Sequence, residues 1–309
     1  MAQFLFDFIR SIRPRQALKN LSLLAPLVFA GQLFYTSQLL LALEATVIFS
    51  ILTSSVYLIN DIFDISSDQQ HPIKKNRPIA SGKISIPSAL FIAICGFTIS
   101  LSLAINLGFF FFLVEIAYLC LQLTYTFWLK KIIIIDVLSI ASGFILRVYA
   151  GAIAINIHMN VWFLLCVVSL SLFLAVGKRR AEIKILAGKE GLYQRKTLNS
   201  YNLNLLDSYL AIFANSAWMS YTLFTFFSPP LTTSTNPLIT FLPQTLAGIN
   251  KWLMVTVPLV IYGVMRYMNI VYTGSRAEAP ERVLLTDKPL LISVGIWAFM
   301  VIFILYGLS

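Results

Sequence analysis

Histidine is nearly absent: His71 and His158 are the two in 309 residues. So few leave no Ser-His-Asp or Cys-His set for nucleophilic catalysis and no zinc site. Three cysteines, Cys95, Cys120 and Cys166, lie in apolar runs without metal-ligand spacing. They read as small buried hydrophobes and say little about redox compartment. The Gly-rich phosphate loop of nucleotide-driven pumps is missing. No Pro/Gly-rich or Ser-rich linker divides the chain, which argues for one domain over 1–309. Charge is scarce at 12%, so where it gathers is informative.

What fills the chain is hydrocarbon. Hydrophobic residues make up 58% and mean hydropathy is +0.82, which excludes a soluble domain and predicts an all-α integral membrane protein. Nine apolar runs reach the length needed to cross a bilayer: roughly 18–36, 39–59, 87–106, 109–129, 132–154, 160–177, 206–227, 252–270 and 289–308. Asp7 interrupts the N-terminal segment, so no cleavable signal is expected. Residues 1–17 instead form an amphipathic interfacial stretch. Lys and Arg fall almost wholly on one side if the N-terminus is cytoplasmic, leaving the C-terminus external. On that reading 60–86, 177–204 and 271–288 are cytoplasmic loops. The net charge of +10 then belongs to the cytoplasmic face, suited to anionic headgroups and phosphates, with no nucleic acid required.

The densest chemistry is in NDIFDISSDQQHPIKKNRPIASG, residues 60–82. Asp61, Asp64 and Asp68 fall at i, i+3 and i+7, one face of a helix. Like charges so close call for a cation, and all-oxygen ligands suit Mg²⁺, which shares its shell with substrate phosphates. His71, Lys74, Lys75, Arg77 and Lys83 follow, with Pro72 and Pro78 breaking the helix. Metal on one side of an anion and Lys/Arg on the other is what a Mg²⁺–diphosphate site needs. A solvated topological loop would need the basic residues but no Asp triplet.

Other polar side chains gather at the same level. Gln16, Lys19 and Asn20 recur at i, i+3 and i+4 at the head of the first span. Glu115, Tyr118, Gln122 and Tyr125 form a stripe that must face protein or water. Arg147 is sixteen residues beyond Lys131, about 24 Å along a helix, at the depth of Glu115, so a buried Glu115–Arg147 pair is expected. After the sixth span come Lys178, Arg179 and Glu182, either a stop signal or an anion site. Arg266 returns to the same side. His158 lies in an external turn and is expected to be inert.

These motifs resemble the UbiA superfamily of intramembrane prenyltransferases, whose first Asp-rich motif NDIFDISSD and RPIASG match. The nearer likeness is to its polyprenyl-phosphate phosphoribosyltransferase branch. That likeness rests on Arg13-Pro14-Arg15-Gln16 with Lys19-Asn20, Leu129-Lys130, Gly143 to Arg147, Gly177-Lys178-Arg179 with Glu182, and Arg266-Tyr267. The aromatic prenyltransferases carry a second Asp cluster where this chain has Lys178 to Glu182, which changes the sign of the local field. The resemblance implies a nine-span bundle with its site at the cytoplasmic mouth of a bacterial-type inner membrane. It implies phosphoribosyl pyrophosphate as donor and a polyprenyl phosphate as acceptor. Asp61, Asp64 and Asp68 would hold Mg²⁺ with Asn60 orienting it, and Lys74 and Arg77 would stabilise the leaving pyrophosphate. Lys19, Lys178 and Arg179 would take the acceptor phosphate, Tyr125 and Lys130 would border the ribose, and Gln16, Asn20, His71, Glu182 and Arg266 would complete the pocket. A true prenyltransferase using a prenyl diphosphate is the alternative, and a transporter or scaffold the reading from another class. Prenyl chain length and oligomeric state, a homo-oligomer included, stay open.

Overall fold

A computed structural model describes residues 2–70, 74–186, 201–228, 251–273 and 280–307. His71, residues 187–200 of the 177–204 loop, residues 229–250 of the external connector and residues 274–279 of the 271–288 loop lie outside the described residues. All regular structure among the described residues is helical. The chain opens with α1 (Ala2–Ser11), a 3₁₀ stretch (Pro14–Leu24), α2 (Ala25–Phe29), α3 (Thr36–Phe63) and the short α4 (Ile65–Gln70). There follow α5 (Ile86–Leu107), α6 (Phe109–Phe127), α7 (Ile135–Ala154), α8 (Val161–Leu186) and α9 (Leu203–Phe227). The chain closes with α10 (Val257–Thr273), α11 (Pro280–Thr286) and α12 (Lys288–Ile302). Helix starts follow their capping residues: Ser85, Asn202 and Asp287 each accept a backbone N–H of the first turn, relieving donors the helix itself leaves open.

Eight helices among the described residues are long and apolar enough to cross a membrane. The expected first span, 18–36, is not one of them. Pro26 has no N–H to donate into a preceding turn, and Gly31 turns the chain at φ +72°. Asn20 is committed sideways, donating to Ser50 and Thr53. The segment runs instead as 3₁₀ turns, then one short helix. It is held against α7 at Gly151, where a Cβ would stand 1.9 Å from the Leu23 carbonyl oxygen, so only glycine admits that approach. The sixth span also differs. The helix does not stop at Gly177 but runs to Leu186, since Lys, Arg, Ala and Glu are all good helix formers.

Two cores flank a polar seam. One packs Val137 of α7 with Phe173, Leu206, Leu210, Tyr267 and Val271. The other packs Leu23, Phe49, Leu52, Phe111 and Tyr118 with Ala150 of the same helix. Helix α7 is thus shared, and the cavity opens beside it. Outward faces are apolar, as at Phe91, Phe110 and Phe299, which suits contact with lipid tails. Cys120 lies on such an outward face and Cys95 and Cys166 are half-buried, which corrects the expectation that all three are buried.

Candidate active site

Among the described residues, two cavities sit at opposite ends of the bundle. The larger, about 870 Å³, is lined by aromatic side chains such as Phe29, Trp162 and Phe224, with His158 at its edge. None of the predicted site residues borders it. The smaller, about 210 Å³, is polar, and the sequence motifs converge on it. Its mouth carries Arg13, Gln16, Lys19, Asn60, Asp64, Lys74 and Arg77, its far wall Tyr125, Lys178 and Glu182, and its floor Val56, Tyr57, Tyr118, Gln122, Phe144 and Arg147.

The three aspartates are all buried, but not along one unbroken helix. Asp61 is in the last turn of α3, Asp64 caps that helix, and Asp68 is in α4. Each is met by a cation. Arg77 Nη1 is 2.9 Å from Asp61 and 2.5 Å from Asp68, Arg13 also bonds Asp61, and Lys130 Nζ is 2.7 Å from Asp64. Arg13 reaches Asp61 from a left-handed backbone, φ +53°, a strained setting of the kind found at ligand sites. Burial lowers the Arg13 pKa from its ordinary value, with Asp61 opposing. Burial likewise raises the Asp68 carboxyl above the usual carboxylate range against the pull of Arg77. Among the described residues, no three acidic, His or Cys side chains stand close enough to share one ion. Of the triplet, Asp64 lines the cavity, beside Asn60; Asp61 and Asp68 lie behind Arg77. The donor chemistry, hard oxygens only, fits Mg²⁺, and the cations gathered on these carboxylates mark how strongly the group attracts positive charge.

The second motif is organised by a residue that does not line the cavity. Arg179, 1% exposed, is 2.6 Å from Asp136 through Nε, donates to Tyr125 OH at 2.7 Å and bonds Glu182. Asp136 in turn accepts from Tyr201, whose hydroxyl accepts the Ile134 N–H at 2.8 Å. Arg179 therefore fixes Tyr125 and Glu182 from behind, while its neighbour Lys178 faces the cavity. Asn20, 1% exposed, is likewise behind the wall, accepting Arg147 Nε at 2.9 Å. Arg266 does not line the cavity: it makes a two-pronged contact with Asp287, at 3.1 and 2.8 Å, which holds the Asp287 carboxyl below its usual range. Lys19 is 3.2 Å from Glu281 of α11, closing one side of the mouth.

The expected Glu115–Arg147 pair is absent among the described residues. Glu115 accepts from Ser100 Oγ at 2.9 Å, and that hydroxyl also reaches the Ile48 carbonyl. Arg147 instead donates to Tyr118 OH at 2.7 Å and the Gly143 carbonyl at 2.6 Å. Arg147 thus takes Tyr118, one turn further along the same stripe of α6, in place of Glu115. Glutamine at 115 keeps an oxygen for Ser100, so Glu115→Gln is expected to change the unfolding free energy by less than about 1 kcal/mol, measured by thermal or denaturant unfolding in detergent. Arg13, Tyr57, Gln122, Arg147 and Glu281 line the cavity but were not expected there. Arg13 carried a signal at the head of the Arg-Pro-Arg-Gln motif, Gln122 in the polar stripe of α6 and Arg147 at the end of the Gly143 to Arg147 motif; Tyr57 carried none.

A multi-pass helical bundle with a buried, cation-rich polar cavity at one end defines a membrane protein built to hold anionic groups. The chain belongs to the UbiA prenyltransferase family, whose profile matches residues 21–286. It is 33% identical over 302 residues to the decaprenyl-phosphate phosphoribosyltransferase of Corynebacterium glutamicum, covering 96% of this chain and 86% of that protein. It is 34% identical to the enzyme of the same name from Mycolicibacterium smegmatis, covering 94% and 89%. A UbiA homolog from Archaeoglobus fulgidus bound to DMAPP and Mg²⁺ has the same fold, with a TM-score of 0.68 at 16% identity over 98% of this chain and all of that one.

Proposed function

We propose that this chain transfers a 5-phosphoribosyl group from phosphoribosyl pyrophosphate to a polyprenyl phosphate of decaprenyl type and releases pyrophosphate. The carrying observation is the charge of the cavity wall. Six Lys and Arg side chains, Arg13, Lys19, Lys74, Arg77, Arg147 and Lys178, face three carboxylates, Asp64, Glu182 and Glu281. Such an excess suits two phosphorylated substrates better than a diphosphate and a neutral acceptor. The relatives named for this reaction cover nearly the whole chain.

In the transfer, the bond from ribose C1 to a pyrophosphate oxygen breaks and a bond from C1 to an acceptor phosphate oxygen forms. Lys74 and Arg77 stabilise the charge that builds on the departing pyrophosphate. Asp64 and Asn60 would hold Mg²⁺ at the cavity, with Asp61 and Asp68 adjoining; the ion supplies Lewis-acid neutralisation of the leaving group. The acceptor phosphate is already ionised near neutral pH, so it needs no general base. Tyr125 and Glu182, held by Arg179, border the ribose. The cavity opens to the cytoplasm of a bacterial-type inner membrane, where a water-soluble donor arrives, and the apolar bundle shelters the prenyl chain.

The test supplies purified protein with either phosphoribosyl pyrophosphate and a polyprenyl phosphate, or a prenyl diphosphate and an aromatic acceptor, with and without chelator. The expected result is lipid-linked phosphoribose from the first pair alone, abolished by EDTA and restored by Mg²⁺. Consumption of the prenyl diphosphate instead would select the prenyltransferase reading.

A further inference from the structure

Arg147 is 4% exposed and lies on the floor of the polar cavity. Its N–H groups reach only neutral partners: Asn20 through Nε, the Gly143 carbonyl through Nη1 and the Tyr118 hydroxyl through Nη2. Three rings surround it, Tyr118, Phe144 and Phe49, with centroids 4.9, 5.5 and 5.9 Å from Cζ. Rings and amides soften a buried charge but do not neutralise it. The contrast with its neighbours decides the matter. Arg13 and Arg77 meet Asp61, Arg77 meets Asp68 as well, and Lys19 meets Glu281. Among the described residues Arg147 has no carboxylate within ion-pair distance, and neither has Lys178 on the facing wall.

A guanidinium carries five N–H groups, and three are used, so one on each Nη remains. Gly143 leaves room for a second donor there. A Cβ at 143 would lie 3.0 Å from Gln122 Nε2 and 3.5 Å from Arg147 Nη1, so both nitrogens converge over the bare backbone. The Gln122 side chain has no hydrogen-bond partner among the described residues. On helix α3, Val56 on the floor and Asp64 at the mouth are eight residues apart, about 12 Å of helix. The floor and the Asp-rich mouth are therefore the two ends of one cavity.

We infer that Arg147, with Gln122 and Lys178, forms a subsite for a phosphate monoester, distinct from the pyrophosphate site at the mouth. The inference deepens the functional reading and rests on it for the ligand's source, since both proposed substrates carry a monoester: C5 of the donor and the head of the acceptor lipid.

The experiment uses the full chain in lipid nanodiscs with EDTA present, titrated calorimetrically with ribose 5-phosphate, farnesyl phosphate and inorganic pyrophosphate. Arg147→Gln is expected to weaken at least one monoester by about tenfold or more, the size of a lost charge-assisted contact, with pyrophosphate affinity within about twofold. Loss of ribose 5-phosphate names the donor's C5 phosphate as the occupant, and loss of farnesyl phosphate names the acceptor. Monoester affinities unchanged in the variant, or a parallel loss of pyrophosphate, would overturn the subsite. Should Arg147→Gln fail to fold, Gly143→Ala crowds Gln122 while keeping every charge. It is expected to weaken the same monoester about threefold to tenfold by displacing one donor, and unchanged binding would again overturn the inference. A chain that never consumes phosphoribosyl pyrophosphate yet loses monoester binding in these variants would sink the functional reading and leave the subsite standing.

Discussion

Asp64→Asn is expected to cut kcat by about 10²–10³, the usual cost of removing one group that stabilises charge in a transition state. Asp64 is singled out because it faces the cavity, whereas Asp61 and Asp68 are bridged by Arg77. The substitution also leaves Lys130 without the carboxylate 2.7 Å away, raising the positive charge near the mouth. Ground-state affinity for an anionic donor should therefore hold or improve while turnover falls. Rates with saturating donor, alongside direct donor binding, separate these effects. Wild-type kcat with weakened binding would show that Asp64 serves the ground state alone. A parallel unfolding curve guards against a trivial loss of fold.

Arg179→Met is expected to be the most damaging single change to stability, at about 3–5 kcal/mol, because it strips one partner from a buried charge network. Asp136 is 2% exposed and would keep Tyr201 but lose its cation. Glu182 and Tyr125 would lose the group that aims them at the cavity. Thermal unfolding in detergent should fall by many degrees, and activity should drop beyond what the unfolded fraction explains. Arg179→Lys keeps the charge but not the fork and should recover part of the loss, since lysine cannot bond Asp136, Glu182 and Tyr125 at once. A melting temperature within a degree or two of wild type in the methionine variant would contradict this account.

How much was readable beforehand divides along one line. Quantities that run along a helix axis came through. Eight of the nine expected spans match within a few residues apart from the C-terminal extension of α8, because bilayer thickness fixes length and apolar runs report it directly. The cluster from Asn60 to Arg77 was visible because carboxylates and cations are so rare elsewhere. Quantities that depend on rotation about an axis did not come through. Glu115 and Tyr118 are one turn apart on a single stripe of α6, yet the carboxyl bonds Ser100 on α5 while Arg147 takes Tyr118. Lys178 and Arg179 are adjacent letters about 100° apart on a helix; only the fold tells which one meets the cavity. Asn20 and Arg266 are polar for the sake of other side chains. The first span misled for another reason: apolar composition over 18–36 met the length of a crossing, but Pro26 and Gly31 withheld the helix.

That irregular first crossing ties the start of the chain to its end. Tyr306, in the last turns of the final membrane segment, accepts the Leu33 N–H at 3.0 Å and donates to the Val28 carbonyl at 2.7 Å. Backbone groups left open by the broken helix thereby gain partners that the helix itself does not supply. Residues 27–33 thus settle only once a tyrosine some 273 positions further along the chain is in place.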